Sequence, residues 1–127
     1  MATDGPTVLV VDDESAVRLT LAAMLAHHGY EPVLAAGGAE AVELCRARTG
    51  TVAAVVLDVR MPGMDGPATL DALRALEPAL PCVFVSGENK YADTELLARG
   101  AVTVLVKPVG LEEFGRAVTA AIAPPRS

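Results

Sequence analysis

The 127-residue sequence predicts an α/β fold, a doubly wound parallel sheet of five strands covered on both faces by five helices. Two observations predict it. Short runs rich in β-branched residues and free of polar alternation recur along the chain, which is the pattern of strands buried on both faces. Between them lie segments whose apolar residues return at three- and four-residue spacing, the pattern of amphipathic helices. Strands and helices in strict alternation make βαβ units, and those units require a parallel sheet.

The elements follow in order. Thr7 to Val11 is the first strand. Val17, Leu21, Met24, Leu25 and His28 then share one helical face, with Ser15 as the expected N-cap and Gly29 as the stop. Glu31 to Leu34 is a weaker strand suited to a sheet edge, because Pro32 has no N–H to give a ladder. A helix over Ala39 to Arg48 leads to the third strand, Val52 to Leu57. Pro67 to Glu77 is the next helix, with proline in the first turn where its missing N–H costs nothing. Cys82 to Val85 and Thr103 to Val106 complete the strands, with a helix over Lys90 to Arg99 between them. Leu111, Phe114, Val118 and Ile122 mark the last helix.

Bulk properties narrow the class. The length and a 52% hydrophobic content suit one self-folding domain over residues 1–127, with 124–127 as a tail or linker stub. No apolar run approaches the roughly 18 residues needed to cross a bilayer, and the first residues lack the basic and apolar parts of a secretory signal, so no membrane association and a cytoplasmic location are expected. Cys45 and Cys82 lack metal-ligand or redox spacing and read as buried free thiols. A net charge of −6 with no Lys/Arg cluster argues against direct nucleic-acid binding.

In an open parallel sheet the functional site lies beyond the carboxyl ends of the strands, where the strand order reverses. At those ends the sequence delivers polar groups repeatedly. The first strand runs into Asp12, Asp13 and Glu14, the third into Asp58, the fourth into Ser86 and Gly87, and the fifth into Lys107 and Pro108. Each alone reads as a turn or a helix N-terminus; it is their joint placement that points to chemistry. Carboxylates held together repel by about 4 kcal/mol per pair at about 4 Å and an effective dielectric near 20, and a cation relieves this. An all-oxygen set suits Mg²⁺, or Mn²⁺ in its place, which leaves coordination positions for phosphate oxygens. Asp58 is then the candidate nucleophile, with Lys107 and Ser86 as partners for the oxygens of a transferring phosphoryl group.

Four segments, Val8 to Glu14 (VLVVDDE), Leu57 to Gly66 (LDVRMPGMDG), Ser86-Gly87 and Lys107-Pro108, resemble the receiver domains of bacterial response regulators, and the resemblance covers nearly the whole chain. It implies a flavodoxin-like sheet in the order 2-1-3-4-5. It implies Asp58 as phosphoacceptor, with Asp13, Asp58 and the backbone carbonyl of Arg60 as metal ligands and Asp12 acting through water. It further implies Ser86 and Lys107 as phosphoryl ligands and a cis peptide before Pro108. The partners it implies are a sensor histidine kinase or a histidine phosphotransfer protein, an output partner or domain, and a phosphorylation-dependent homodimer as one form of output. Such a domain is a switch, catalysing only its own phosphorylation and dephosphorylation.

Two departures from the family pattern stand out. Val104 occupies the place where an aromatic switch residue is usual, so signalling is expected to pass through the loop after Ser86 and the helix near Lys90, with Tyr91 responding. Arg60 and Glu88 flank the pocket mouth, and their pairing predicts slow hydrolysis. The competing readings are a degenerate receiver that only binds partners, a phosphatase and a flavodoxin-like electron carrier. Arg60, standing where a phosphatase would need a second acid, disfavours the phosphatase. The scarcity of aromatics and of a phosphate loop disfavours the flavin reading. His27 and His28 read as helix C-terminal residues without a catalytic role.

Overall fold

The computed structural model describes residues 5–87, 93–98, 100, 101 and 103–123. The strands are β1 (Thr7–Val11), β2 (Glu31–Ala35), β3 (Val52–Asp58), β4 (Cys82–Ser86) and β5 (Thr103–Val106). The helices are α1 (Ser15–His27), α2 (Gly38–Ala47), α3 (Gly66–Leu76), α4 (Asp93–Ala98) and α5 (Leu111–Ile122). All pairings are parallel, in the order β2-β1-β3-β4-β5, so the predicted topology holds and β2, with Pro32, is an edge strand.

The absence of alternation in β1 has a direct structural cause. Leu9 and Val11 face one core with Val55, Leu57, Phe84, Ala41, Cys45, Leu70, Leu73 and Leu96. Val8 and Val10 face the other, with Val56, Val83, Val85, Leu21, Leu25, Phe114 and Val118. Both sides of the sheet therefore require apolar residues, supplied by α2, α3 and α4 on one face and by α1 and α5 on the other. Cys45 and Cys82 are buried free thiols, and burial pushes Cys82 up to about 12.

Several boundaries differ from expectation. Ser15 does not cap α1. The Glu14 carbonyl already accepts the Arg18 N–H at 3.0 Å, so the ladder begins one residue earlier and extended Glu14 holds the cap position. At the other end the prediction holds. Gly29 has φ of 89°, and the Tyr30 N–H returns to the Leu25 carbonyl at 2.9 Å, a closure that needs the left-handed residue. α3 starts at Gly66, capped by the Asp65 carboxylate accepting the Ala68 N–H at 3.0 Å, with Pro67 in its first turn. Asp58 and Ser86 do not follow their strands; they are the last residues of β3 and β4, Asp58 paired with Val85 and Ser86 with Val106.

Candidate functional site

β1 and β3 are neighbours at the point where the chain reverses direction across the sheet, so the ends of these two strands put their acids side by side. Asp12, Asp13 and Asp58 each offer a carboxylate oxygen within 4.8 Å of the others. Asp12 and Asp58 are 1% and 6% exposed, while Asp13 is exposed. β5 contributes the cation. The Lys107 N–H donates to the Ser86 carbonyl at 3.0 Å, extending the β4–β5 ladder by one residue. Its ammonium stands 3.0 Å from Asp12 Oδ2 and donates to Asp58 Oδ1 at 3.3 Å. The Lys107-Pro108 peptide is cis, as expected.

The acidic turn is fixed by its own backbone. Asp12 Oδ1 accepts the Glu14 N–H at 2.9 Å, which leaves Oδ2 toward Lys107. That oxygen has a charge contact with the ammonium but no donor aligned for a hydrogen bond, and the buried Ser86 hydroxyl likewise has no hydrogen-bond partner among the described residues. Buried polar atoms of this kind are uncommon without a ligand or water to complete them. Behind Asp58 the chain passes very close to itself. A Cβ on Gly66 would lie 2.5 Å from the Asp58 carbonyl and 2.9 Å from the Phe84 ring, so only glycine lets α3 start there.

The electrostatics follow from the geometry. Burial, then the neighbouring Asp12 charge, pushes Asp58 from 3.8 up to about 6, although Lys107 pulls the other way. Burial also works against the Lys107 ammonium, but the two aspartates more than offset it and hold its pKa above the ordinary lysine value. One lysine does not neutralise three carboxylates. An all-oxygen cluster short of positive charge, with an open cleft of about 330 Å³ lined by Glu14, Asp58, Arg60, Gly87 and Lys107, fits a hard divalent cation and a small anion above it.

Residues 8–119 match the family model described as response regulator receiver domain. The chain belongs to the response regulator receiver family. The receiver is 41% identical over 114 residues to the sensor kinase CckA of Brucella abortus, covering 88% of this chain and 12% of that protein. It is 36% identical over 124 residues to the transcriptional regulatory protein ZraR of Escherichia coli O157:H7, covering 97% of this chain and 28% of that protein. The chain thus spans well under half the length of these two curated relatives. Among solved structures it is similar to the CheX–CheY–BeF3–Mg²⁺ complex of Borrelia burgdorferi, at 26% identity and a TM-score of 0.86, covering 94% of this chain and 90% of that one.

A receiver is a signalling switch rather than a classical enzyme, and the family implies a histidine kinase as partner. Its acidic triad is able to hold a metal ion. No helix among the described residues is long and apolar enough to cross a membrane.

The structure brings together Asp12, Asp13, Asp58 and Lys107, with Arg60 on the wall of the same cleft and Ser86 buried at the end of β4. Val104, at the place usual for an aromatic, is half-buried beside Phe84, its register partner in β4. Glu88 and Tyr91, expected to tune hydrolysis and to respond to phosphorylation, lie outside the described residues. So does the expected start of the fourth helix at Lys90. Two contributors escaped sequence reasoning. Arg18 Nη1 donates to the Asp12 carbonyl at 2.7 Å, and Gly66 is needed for close approach rather than only for a turn. An arginine one helical turn beyond an acidic strand end was the only available signal for the first.

Proposed function

We propose that this receiver takes a phosphoryl group from a phosphohistidine, on a cytoplasmic sensor kinase or a histidine phosphotransfer protein, onto Asp58. The observation that supports this best is the meeting of a buried, charge-stressed Asp58 with Asp12, Asp13 and Lys107 at one mouth. An Asp58 oxygen attacks phosphorus, the phosphorus–nitrogen bond to the donor imidazole breaks, and an acyl phosphate results. Lys107, already against Asp58 Oδ1, is placed to follow the charge onto the phosphoryl oxygens. The buried Ser86 hydroxyl, without a hydrogen-bond partner among the described residues, would supply a further donor.

Asp13, Asp58 and the backbone carbonyl of Arg60 would hold Mg²⁺, or Mn²⁺, with Asp12 reached through water. When bound, the cation supplies the positive charge that Lys107 alone does not. The residues themselves do the rest: Asp58 is the nucleophile, and Asp12, 3.0 Å from the Lys107 ammonium, keeps that ammonium turned toward Asp58. Phosphorylation adds charge and acceptor oxygens at the ends of β4 and β5, biasing the surface beyond them and so the affinity for an output partner or a second copy.

Incubation with acetyl phosphate and Mg²⁺, followed by intact mass, tests this. A single hydroxylamine-labile phosphoryl adduct is expected in the wild type, absent from Asp58→Asn and from chelator-treated protein. An adduct that persists in either control contradicts the reading.

A further inference from the structure

We propose that Arg18 is a positioning residue for the cation site, holding the peptide that joins Asp12 to Asp13 so that both carboxylates point into one cleft. The inference rests on the reading of the acid cluster as the Mg²⁺ site. Arg18 lies on the first turn and a half of α1, and its Nη1 donates to the main-chain carbonyl of Asp12 at 2.7 Å. That carbonyl belongs to the peptide unit leading into Asp13, so its direction sets the direction in which Asp13 leaves the strand.

The turn is otherwise held by few contacts. Asp12 N–H reaches the Ala35 carbonyl at 3.2 Å, and the Glu14 N–H reaches Asp12 Oδ1 at 2.9 Å. The first fixes the strand end and the second fixes the Asp12 side chain; among the described residues, the Arg18 bond is the one that takes hold of the 12–13 peptide itself. Asp12 is buried and needs little help to stay in place, but Asp13 is exposed. Apart from a side-chain contact with Asp58, its orientation depends on the backbone that carries it. A guanidinium suits the task because it stays charged and rigid while its stem packs along the helix.

A bland role gives the opposite sign. If Arg18 served only to relieve repulsion among the carboxylates, its removal would make the cluster more negative and would tighten Mg²⁺ binding. If it positions Asp13, removal loosens a ligand and weakens binding. Losses of about tenfold or more are usual when a residue that orients a metal ligand is removed.

The test is Mg²⁺ binding by isothermal calorimetry on wild type, Arg18→Ala and Arg18→Lys, with folding checked by circular dichroism. The Mg²⁺ dependence of acetyl phosphate labelling is measured on the same proteins. Positioning predicts affinity falling from wild type to Arg18→Lys to Arg18→Ala, by about tenfold for alanine, with half-saturating Mg²⁺ for labelling rising by the same factor. Arg18→Lys keeps the charge but not the reach, and it carries the test if Arg18→Ala does not fold. Equal or tighter affinity in the variants, with wild type binding normally, overturns the inference alone. Wild-type protein that takes up no Mg²⁺ and no phosphoryl group overturns the reading beneath it as well.

Discussion

Replacing Asp58 by asparagine should make the metal-free protein more stable. The wild-type carboxylate is 6% exposed, and burial followed by the Asp12 charge raises its pKa from 3.8 to about 6 even with Lys107 beside it. A rise of roughly two units means that the ionised form costs the folded state about 3 kcal/mol at neutral pH. Because the carboxylate borders an open cleft where water and counterions enter, about 1–2 kcal/mol is the more realistic figure. The sign is fixed by linkage. A carboxyl group whose folded pKa lies above its unfolded one favours folding most fully below about pH 4, and that favour is lost as pH rises through about 6.

Asp58→Asn should therefore exceed wild type by about 1–2 kcal/mol near pH 7 in chelator, which for a domain of this size is about 3–8 °C in Tm. The gap should close as pH falls from about 6 toward 4, and Mg²⁺ should shrink it at neutral pH by stabilising the wild type more than a variant that has lost one carboxylate ligand. The chain has no tryptophan, so urea unfolding followed by far-ultraviolet circular dichroism is the suitable assay. An asparagine variant no more stable than wild type near neutral pH, or an advantage that does not change with pH, would refute the claim that Asp58 is charge-stressed.

Other perturbations have equally definite outcomes. Lys107→Ala leaves the buried Asp12 and Asp58 carboxylates without their cation and should cost about 2–4 kcal/mol in urea unfolding near pH 7 without metal, less near pH 5 as Asp58 takes up a proton. Gly66→Ala drives a Cβ against the Asp58 carbonyl and the Phe84 ring and should destabilise by at least about 1–3 kcal/mol while weakening Mg²⁺ binding through displacement of Asp58. Gly115→Ala would push on the His28 ring, whose Nε2 bonds the Leu111 carbonyl at 2.9 Å. Alone it should destabilise slightly, but in a His28→Ala background it should stabilise α5 by up to about 1 kcal/mol, the ordinary helix preference of alanine over glycine. A double-mutant cycle by thermal unfolding reads both signs.

What was legible in the sequence was whatever local pattern dictates. Val8 to Val11 could be read as a doubly buried strand because both faces of β1 require apolar side chains. The meeting of Asp12, Asp13, Asp58 and Lys107 could be read because strand ends in a parallel sheet share one edge. Local rules misplaced single residues at helix starts, where several neighbouring residues carry cap chemistry and the backbone ladder selects one. Ser15 has cap chemistry, yet the ladder begins at Glu14 because its carbonyl is already engaged. Asp65 does cap α3, but its place within a run of turn formers hid this.

What stayed illegible depends on distant parts of the chain meeting. His28 lies against Leu111 and Gly115, and the Tyr30 hydroxyl meets the Thr119 hydroxyl at 2.7 Å across most of the sequence. No local periodicity encodes those contacts. Arg18 falls between the two cases, close to the acids in sequence but aimed at a carbonyl, a use that residue type alone does not disclose.

The central claim is that phosphoryl transfer ends on Asp58. Borohydride reduction of protein treated with acetyl phosphate and Mg²⁺, followed by peptide sequencing, tests it most directly, because an aspartyl phosphate is reduced to homoserine where it formed. The account predicts homoserine at residue 58 alone, and only when Mg²⁺ was present. Homoserine at 12 or 13, or none from a sample that carries the adduct, would contradict it.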